Sequence, residues 1–175
     1  GYPKKVELHT MKKDNPYKKC MLLLARDSFR NTNMGLLNIL LNHSSDYEFC
    51  LKLHPSCDFS FYSSFASQHG MTIISKDRTI NDCLNNNFFD FAIAVNTTAY
   101  YEALMRGLPC LRFCDDTFDL MAGYKDVFGT DEEFRVIMET VKNQPLQTYQ
   151  EEVNRALEYA IGVNIDNYKN LLCGE

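Results

Sequence analysis

Two short stretches carry side chains suited to holding a phosphorylated ligand. Lys52-Leu53-His54-Pro55 closes an apolar run. Proline fixes the chain direction and has no N–H. An imidazole in front of it is therefore held at the tip of the run, where it can donate to a phosphate oxygen. Asn96-Thr97-Thr98 joins a second apolar run directly to a helical pattern. A helix start presents free N–H groups and a partial positive charge, and two adjacent hydroxyls add donors. Asn96 or Thr97 also suits an ordinary N-cap, a role compatible with phosphate binding. Glu102 lies one helical turn beyond Thr98 and shares its face. There it can accept from ribose hydroxyls, or simply face solvent. Tyr100 and Tyr101 suit stacking on a base or packing in the core.

These residues act together only if the fold gathers them. Apolar runs at 20–25, 47–53, 71–75, 90–95 and 109–113 read as buried strands. Helical patterns at 33–42, 58–69, 79–86, 97–106, 131–143 and 148–161 alternate with them or follow them. Gly70 and Gly107 stop two of the helices. The alternation predicts βαβ units, hence a Rossmann-like, mainly parallel α/β sheet with helices on both faces. In such a sheet ligands bind beyond the carboxyl ends of the strands. The rim would then carry Arg26, Asp27, Ser28, Phe29 and Arg30; His54 and Pro55; Ser75, Lys76 and Asp77; Asn96, Thr97 and Thr98; and Asp115 with Asp116.

Length suits one domain at 20–175, entered by a polar linker or arm at 1–19. A net charge of −5 argues against a general nucleic-acid binder. Lys4, Lys5, Lys12, Lys13, Lys18 and Lys19 cluster near the N-terminus. They read as a solvated leader, with contact to an anionic membrane face or to another domain as the minority reading. The seven cysteines form no CxxC pair and no Cys/His zinc spacing. No metal site and no cofactor are expected, and the thiols fit a reducing, cytoplasmic setting. Cys20, Cys50 and Cys110 should behave as small hydrophobes. No apolar run approaches the ~20 residues needed to span a bilayer.

Lys52-Leu53-His54-Pro55, then Thr79-Ile80-Asn81-Asp82, then AVNTTAYYEALMRGLPCLRF together resemble the C-terminal, donor-binding half of GT-B glycosyltransferases. The likeness is greatest to the bacterial capsule-polysaccharide biosynthesis and Kdo transferase group. It covers roughly Cys20 to Asp116. The resemblance implies that His54, Thr97 and Thr98 contact the donor phosphate and Glu102 the ribose. With Arg26, Lys52 and Asn96 these form the candidate donor-nucleotide set. His54 is a candidate leaving-group stabiliser; the catalytic base and the acceptor site are expected on a second, N-terminal Rossmann-like domain. The implied donor is a nucleotide-sugar, a CMP-sugar by preference. The implied acceptor is a growing polysaccharide or glycolipid, and the implied location is the cytoplasm or the inner membrane face. This segment alone should be inactive in transfer. The family pair often contains serine, and Thr-Thr adds methyl bulk. A CDP-glycerol-type glycerophosphotransferase and a nucleotide-sugar epimerase are alternatives. The epimerase ranks lower because no Arg-Thr-Thr-Glu-Arg-like run follows the fifth strand. A metal-dependent GT-A reading of Asp115, Asp116 and Asp119 competes with an ordinary solvated loop. A non-catalytic binding or assembly module is the alternative of another class.

Overall fold

The computed structural model describes residues 8–11, 17–85, 88–114 and 125–161. The expectations for Lys4, Lys5, Lys12, Lys13, Asp115, Asp116, Asp119 and Cys173 lie outside them.

Among the described residues six strands form one sheet: β1 (Lys19–Leu23), β2 (Glu48–Lys52), β3 (Thr72–Ile73), β4 (Phe91–Ala94), β5 (Cys110–Phe113) and β6 (Val127–Phe128). Every pairing is parallel, and the order is β3-β2-β1-β4-β5-β6. The helices are α1 (Arg30–Leu41), α2 (Phe59–Gln68), α3 (Ile80–Asn85), α4 (Ala99–Met105), α5 (Asp131–Asn143) and α6 (Leu146–Ile161). A single 3₁₀ turn, Asp27–Phe29, precedes α1. The fold is thus the Rossmann-like α/β sheet the alternation predicts, with helices around it.

The strands are apolar because both faces are covered. β4 and β5 are buried throughout. The chain builds outward from β1 to β3, returns to β4 on the other side of β1, and builds outward again. The strand direction of growth therefore reverses between β1 and β4, and a crevice opens at their carboxyl ends.

Local chemistry sets the joints. Asp58 caps α2 by accepting from the Ser60 and Phe61 N–H groups. Thr130 and Glu133 form a reciprocal capping box at α5. Gly107 ends α4 at φ +74°, and a Cβ on it would stand 2.3 Å from the Thr10 carbonyl oxygen. That close approach exists because residues 8–11 lie against the domain. His9 N–H donates to Met105 O at 2.9 Å, Met11 N–H donates to Gln150 Oε1 at 2.6 Å, and the Met11 side chain is buried.

Element edges differ from expectation where local bonding prevails. α1 begins three residues before the apolar pattern does, because the 3₁₀ turn leads straight into it. β3 is only two residues long. β6 was not anticipated: two residues are too few for any periodicity to register. No helix among the described residues is long and apolar enough to cross a membrane.

Candidate functional site

The first wall of the crevice is the end of β1. Asn33, fully buried on α1, grips Ala25 from both sides: its Oδ1 accepts the Ala25 N–H at 3.1 Å and its Nδ2 donates to Ala25 O at 3.0 Å. The chain therefore leaves β1 in a fixed direction, and Arg26 emerges exposed. Asp27 and Arg30 satisfy each other through a forked pair, with Nη2 2.8 Å from Oδ2 and Nε 3.1 Å from Oδ1. That leaves Arg26 as the basic side chain of this loop that reaches the cavity.

The second wall is the turn after β2. His54 is exposed, and its Nδ1 accepts the Ser56 backbone N–H at 3.1 Å. A backbone N–H can only donate, so Nδ1 is the unprotonated nitrogen of the neutral ring. The proton sits on Nε2. The Ser56 hydroxyl, 2.9 Å from Nδ1, completes the clasp. Lys52 turns elsewhere. Its Nζ donates to the carbonyls of Ser75 and Arg78 and ties the loop after β3 to β2.

The third wall is the β4–α4 junction. Asn96 sits at φ +40°, in the left-handed region that asparagine tolerates better than most residues. Thr97 Oγ1 accepts the Ala99 N–H at 3.3 Å, closing a turn one residue ahead of the N-cap, which is Thr98 rather than Asn96 or Thr97. Thr98 makes no side-chain cap bond, and its exposed side chain lines the crevice. α4 has seven residues. Its dipole adds little, and the hydroxyls rather than the helix carry any anion contact here.

These walls enclose a cavity of about 360 Å³ that includes Arg26, His54, Asn96, Thr97 and Thr98. Five of the seven candidate residues thus meet. Lys52 lies in a neighbouring cavity of about 380 Å³, walled by Leu23, Leu24, Leu53, Pro55 and Ile80, with Lys76 and Arg78 beside it. His54 and Thr97 line both cavities. Glu102 is half-buried and is not among the described residues lining either. From α4 it is Tyr100 and Tyr101 that face the polar cavity. Tyr100 is also buried in the core.

One pair at this site went unread in the sequence. Arg112 lies within β5 and lines the polar cavity. It is almost wholly buried and doubly bonded to Asp126, Nε to Oδ2 at 2.8 Å and Nη2 to Oδ1 at 2.8 Å. The Tyr100 hydroxyl donates to the same Oδ2 at 2.5 Å. The available signal was an arginine inside the apolar run CLRF, since a buried charge demands a partner. The partner itself, fourteen residues on, leaves no local mark.

No thiol among the described residues lines either cavity. Cys20, Cys50, Cys57, Cys83 and Cys110 are buried and unpaired in disulfides, and Cys114 is exposed. Burial raises the Cys50 thiol to about 11. Among the described residues no group of three His, Cys, Asp or Glu side chains could hold a metal ion.

Comparison with known proteins bears on the fold. The UDP-GlcNAc 2-epimerase of Methanocaldococcus jannaschii, solved with UDP-GlcNAc and UDP, matches with a TM-score of 0.57 at 15% identity, over 90% of this chain and 45% of that one. The wall teichoic acid polymerase TagF, solved as a variant soaked with CDPG, matches with a TM-score of 0.50 at 14% identity, over 95% of this chain and 42% of that one. This chain spans less than half the length of either. No family model matches the sequence, and no curated protein matches it. By its fold, then, the chain is similar to one part of each of these proteins: a parallel Rossmann-like sheet with a polar crevice at the point where its strand order reverses.

Proposed function

We propose that this domain binds the donor of a glycosyltransferase, an enzyme that moves a sugar from a nucleotide-sugar to a growing surface or capsular polysaccharide. The observation that carries the reading is the junction at His54 and Thr97, which wall a polar cavity on one side and an apolar one on the other. A nucleotide-sugar has that layout: a flat base, a central phosphate, and a hydroxyl-rich group beyond. The apolar cavity suits the base, and its volume falls in the range of small-molecule sites. Nε2–H of His54, the Thr97 and Thr98 hydroxyls, and Arg26 are the groups for the phosphate. Asn96 shapes the turn that presents them, and Lys52 holds the far wall. Glu102 remains a candidate for the ribose only if the bound ligand reaches past Thr98.

His54 would also steady the leaving phosphate, donating where negative charge develops as the sugar departs. The catalytic base, the acceptor site and the polysaccharide or glycolipid acceptor belong to a second domain that closes over the crevice. The domain alone then binds nucleotide and transfers nothing. We favour a CMP-linked sugar and action in the cytoplasm, with peripheral docking at the inner membrane face through the basic N-terminal residues as the minority reading. The fold is equally that of the epimerase and of TagF, so a nucleotide-sugar epimerase or a glycerophosphotransferase is the second reading.

NMR titration with CMP, CDP, UDP and GDP tests the donor site. Binding should perturb the amides at 54, 56 and 97–99 together. No perturbation by any nucleotide would favour a non-catalytic module. Product analysis with the complete protein then separates transfer from epimerisation.

A further inference from the structure

The turn that carries His54 is complete without one of its side chains. Cys57 N–H donates to His54 O at 2.9 Å and closes the turn. Pro55 stands at its second position, where a fixed φ suits it. The Cys57 thiol donates to Ala25 O at 3.2 Å and seats the turn against the end of β1. The Ser56 backbone N–H already engages Nδ1 of the ring. None of this uses the Ser56 hydroxyl.

That hydroxyl nevertheless stands between two walls of the crevice. Ser56 is exposed and is not among the described residues lining either cavity, so any effect on a ligand must pass through a neighbour. Asp27 N–H donates to Ser56 Oγ at 3.4 Å. An N–H can only donate, and a hydroxyl has a single proton. The Ser56 proton is therefore left for Nδ1 of His54, 2.9 Å away. The donors run one way: from the Asp27 amide, through the Ser56 hydroxyl, into the imidazole. Nε2 of the ring makes no hydrogen bond to a described residue. Donors at Nδ1 draw electron density from the ring and make Nε2–H a better donor, since hydrogen bonds in a chain polarise one another.

The start of the chain matters as much as its end. The Asp27 N–H belongs to the peptide bond between Arg26 and Asp27. The Asp27 carboxylate is occupied by Arg30, so it is the amide that faces the Ser56 hydroxyl. Ser56 thus ties the His54 ring to the backbone from which Arg26 reaches the polar cavity. Those two side chains follow different strands. They can share one anion only if their loops keep a fixed spacing.

We infer that Ser56 is a positioning residue for phosphate binding: its hydroxyl sets the His54 ring against the Arg26–Asp27 peptide, so that Nε2–H and the Arg26 guanidinium meet the same anion. The inference rests on the nucleotide-donor reading and adds to it a residue that touches no ligand.

The experiment is a double-mutant cycle on the 175-residue chain, read by calorimetric titration with CMP, CDP, UDP and GDP. The proteins are the wild type, Ser56→Ala, His54→Ala, the double variant and Ser56→Thr. For a nucleotide that binds the wild type, Ser56→Ala should weaken affinity about fivefold to tenfold, as loss of one hydrogen bond does. Ser56→Thr keeps the hydroxyl and should bind within about twofold of the wild type. In the His54→Ala background, Ser56→Ala should change affinity by less than about twofold, because there is no ring left to position. NMR without ligand gives a second readout. His54→Ala should shift the Asp27 amide resonance when Ser56 is present, and shift it distinctly less in Ser56→Ala. An equal loss from Ser56→Ala in both backgrounds would overturn the proposal, because the hydroxyl would then act on the ligand or the turn and not through His54. So would wild-type affinity in Ser56→Ala, a loss in Ser56→Thr as large as in Ser56→Ala, or an Asp27 amide that ignores His54. The Asp27 amide and the Ser56→Thr rescue decide the matter if the His54→Ala variants bind too weakly to measure. Failure of every nucleotide to bind the wild type is a separate result: it removes the donor reading, and this inference with it.

Discussion

His54 is oriented by its own turn. The Ser56 N–H pointing at Nδ1 leaves only Nε2 to carry the proton of the neutral ring, so the ring offers a ligand a donor, as an incoming phosphate oxygen requires. This is checkable without any ligand. Long-range ¹⁵N NMR of the neutral imidazole should show the Nε2–H tautomer; a dominant Nδ1–H tautomer would mean that the turn holds the ring otherwise. Some of this scale was readable in the sequence. His-Pro at a strand end, and Asn-Thr-Thr at a strand-helix joint, are local patterns. Glu102 was less so. Placing it with Thr98 assumed one helical face, but α4 begins only at Ala99 and turns Tyr100 and Tyr101 toward the cavity. Arg112 was hidden for another reason: its partner Asp126 is made adjacent by β5–β6 pairing, a contact that no local pattern encodes.

Elements hold the site through their joints. Gly107 and Gly70 both have positive φ, but only Gly107 has backbone in the way of a Cβ. Gly70→Ala should cost about 1–2 kcal/mol, the expense of a left-handed alanine. Gly107→Ala should cost distinctly more, because residues 8–11 must also give way. Urea unfolding of the two variants compares them, and equal losses would mean that those residues do not press on α4. Four carboxylates fasten joints as well. The Ser60 hydroxyl hydrogen bond, then the Phe61 N–H, lowers Asp58 below its usual 3.8. The Thr79 hydroxyl does the same for Asp82. The Gly129 N–H, then the Thr130 hydroxyl, lowers Glu133 below 4.5. Desolvation opposes the shift at Asp131, but hydrogen bonds from His43 and Asn42 still leave it lowered. A carboxylate lowered in the folded state stabilises fully above its unfolded value, and that contribution is lost as pH falls through the folded one. Melting temperature should therefore hold down to about pH 5 and fall progressively below pH 4. Asp58→Asn with Glu133→Gln should melt lower at neutral pH and lose less on acidification. An unchanged acid slope would mean that these caps do not drive it.

At the scale of the molecule, alternation of buried runs with helices was enough to foresee a parallel sheet, because strands covered on both faces must be apolar along their length. The edges were less legible: the run at 71–75 marked β3, of which only two residues pair, while β6, also two residues long, left no pattern and is made a strand by pairing alone. What the sheet accomplishes is to bring the ends of β1, β2 and β4 to one crevice, and with them Arg26, His54, Thr97 and Thr98. The central claim is that this crevice binds a nucleotide with His54 at the phosphate. The direct test is calorimetric titration of CMP, CDP, UDP and GDP into the wild type and His54→Ala. The account predicts that at least one nucleotide binds the wild type and binds His54→Ala more weakly by about 1.5–3 kcal/mol, the worth of a charge-assisted hydrogen bond. If His54→Ala binds every nucleotide as tightly as the wild type does, His54 is a strand-end residue that shapes its turn, and the phosphate site lies elsewhere.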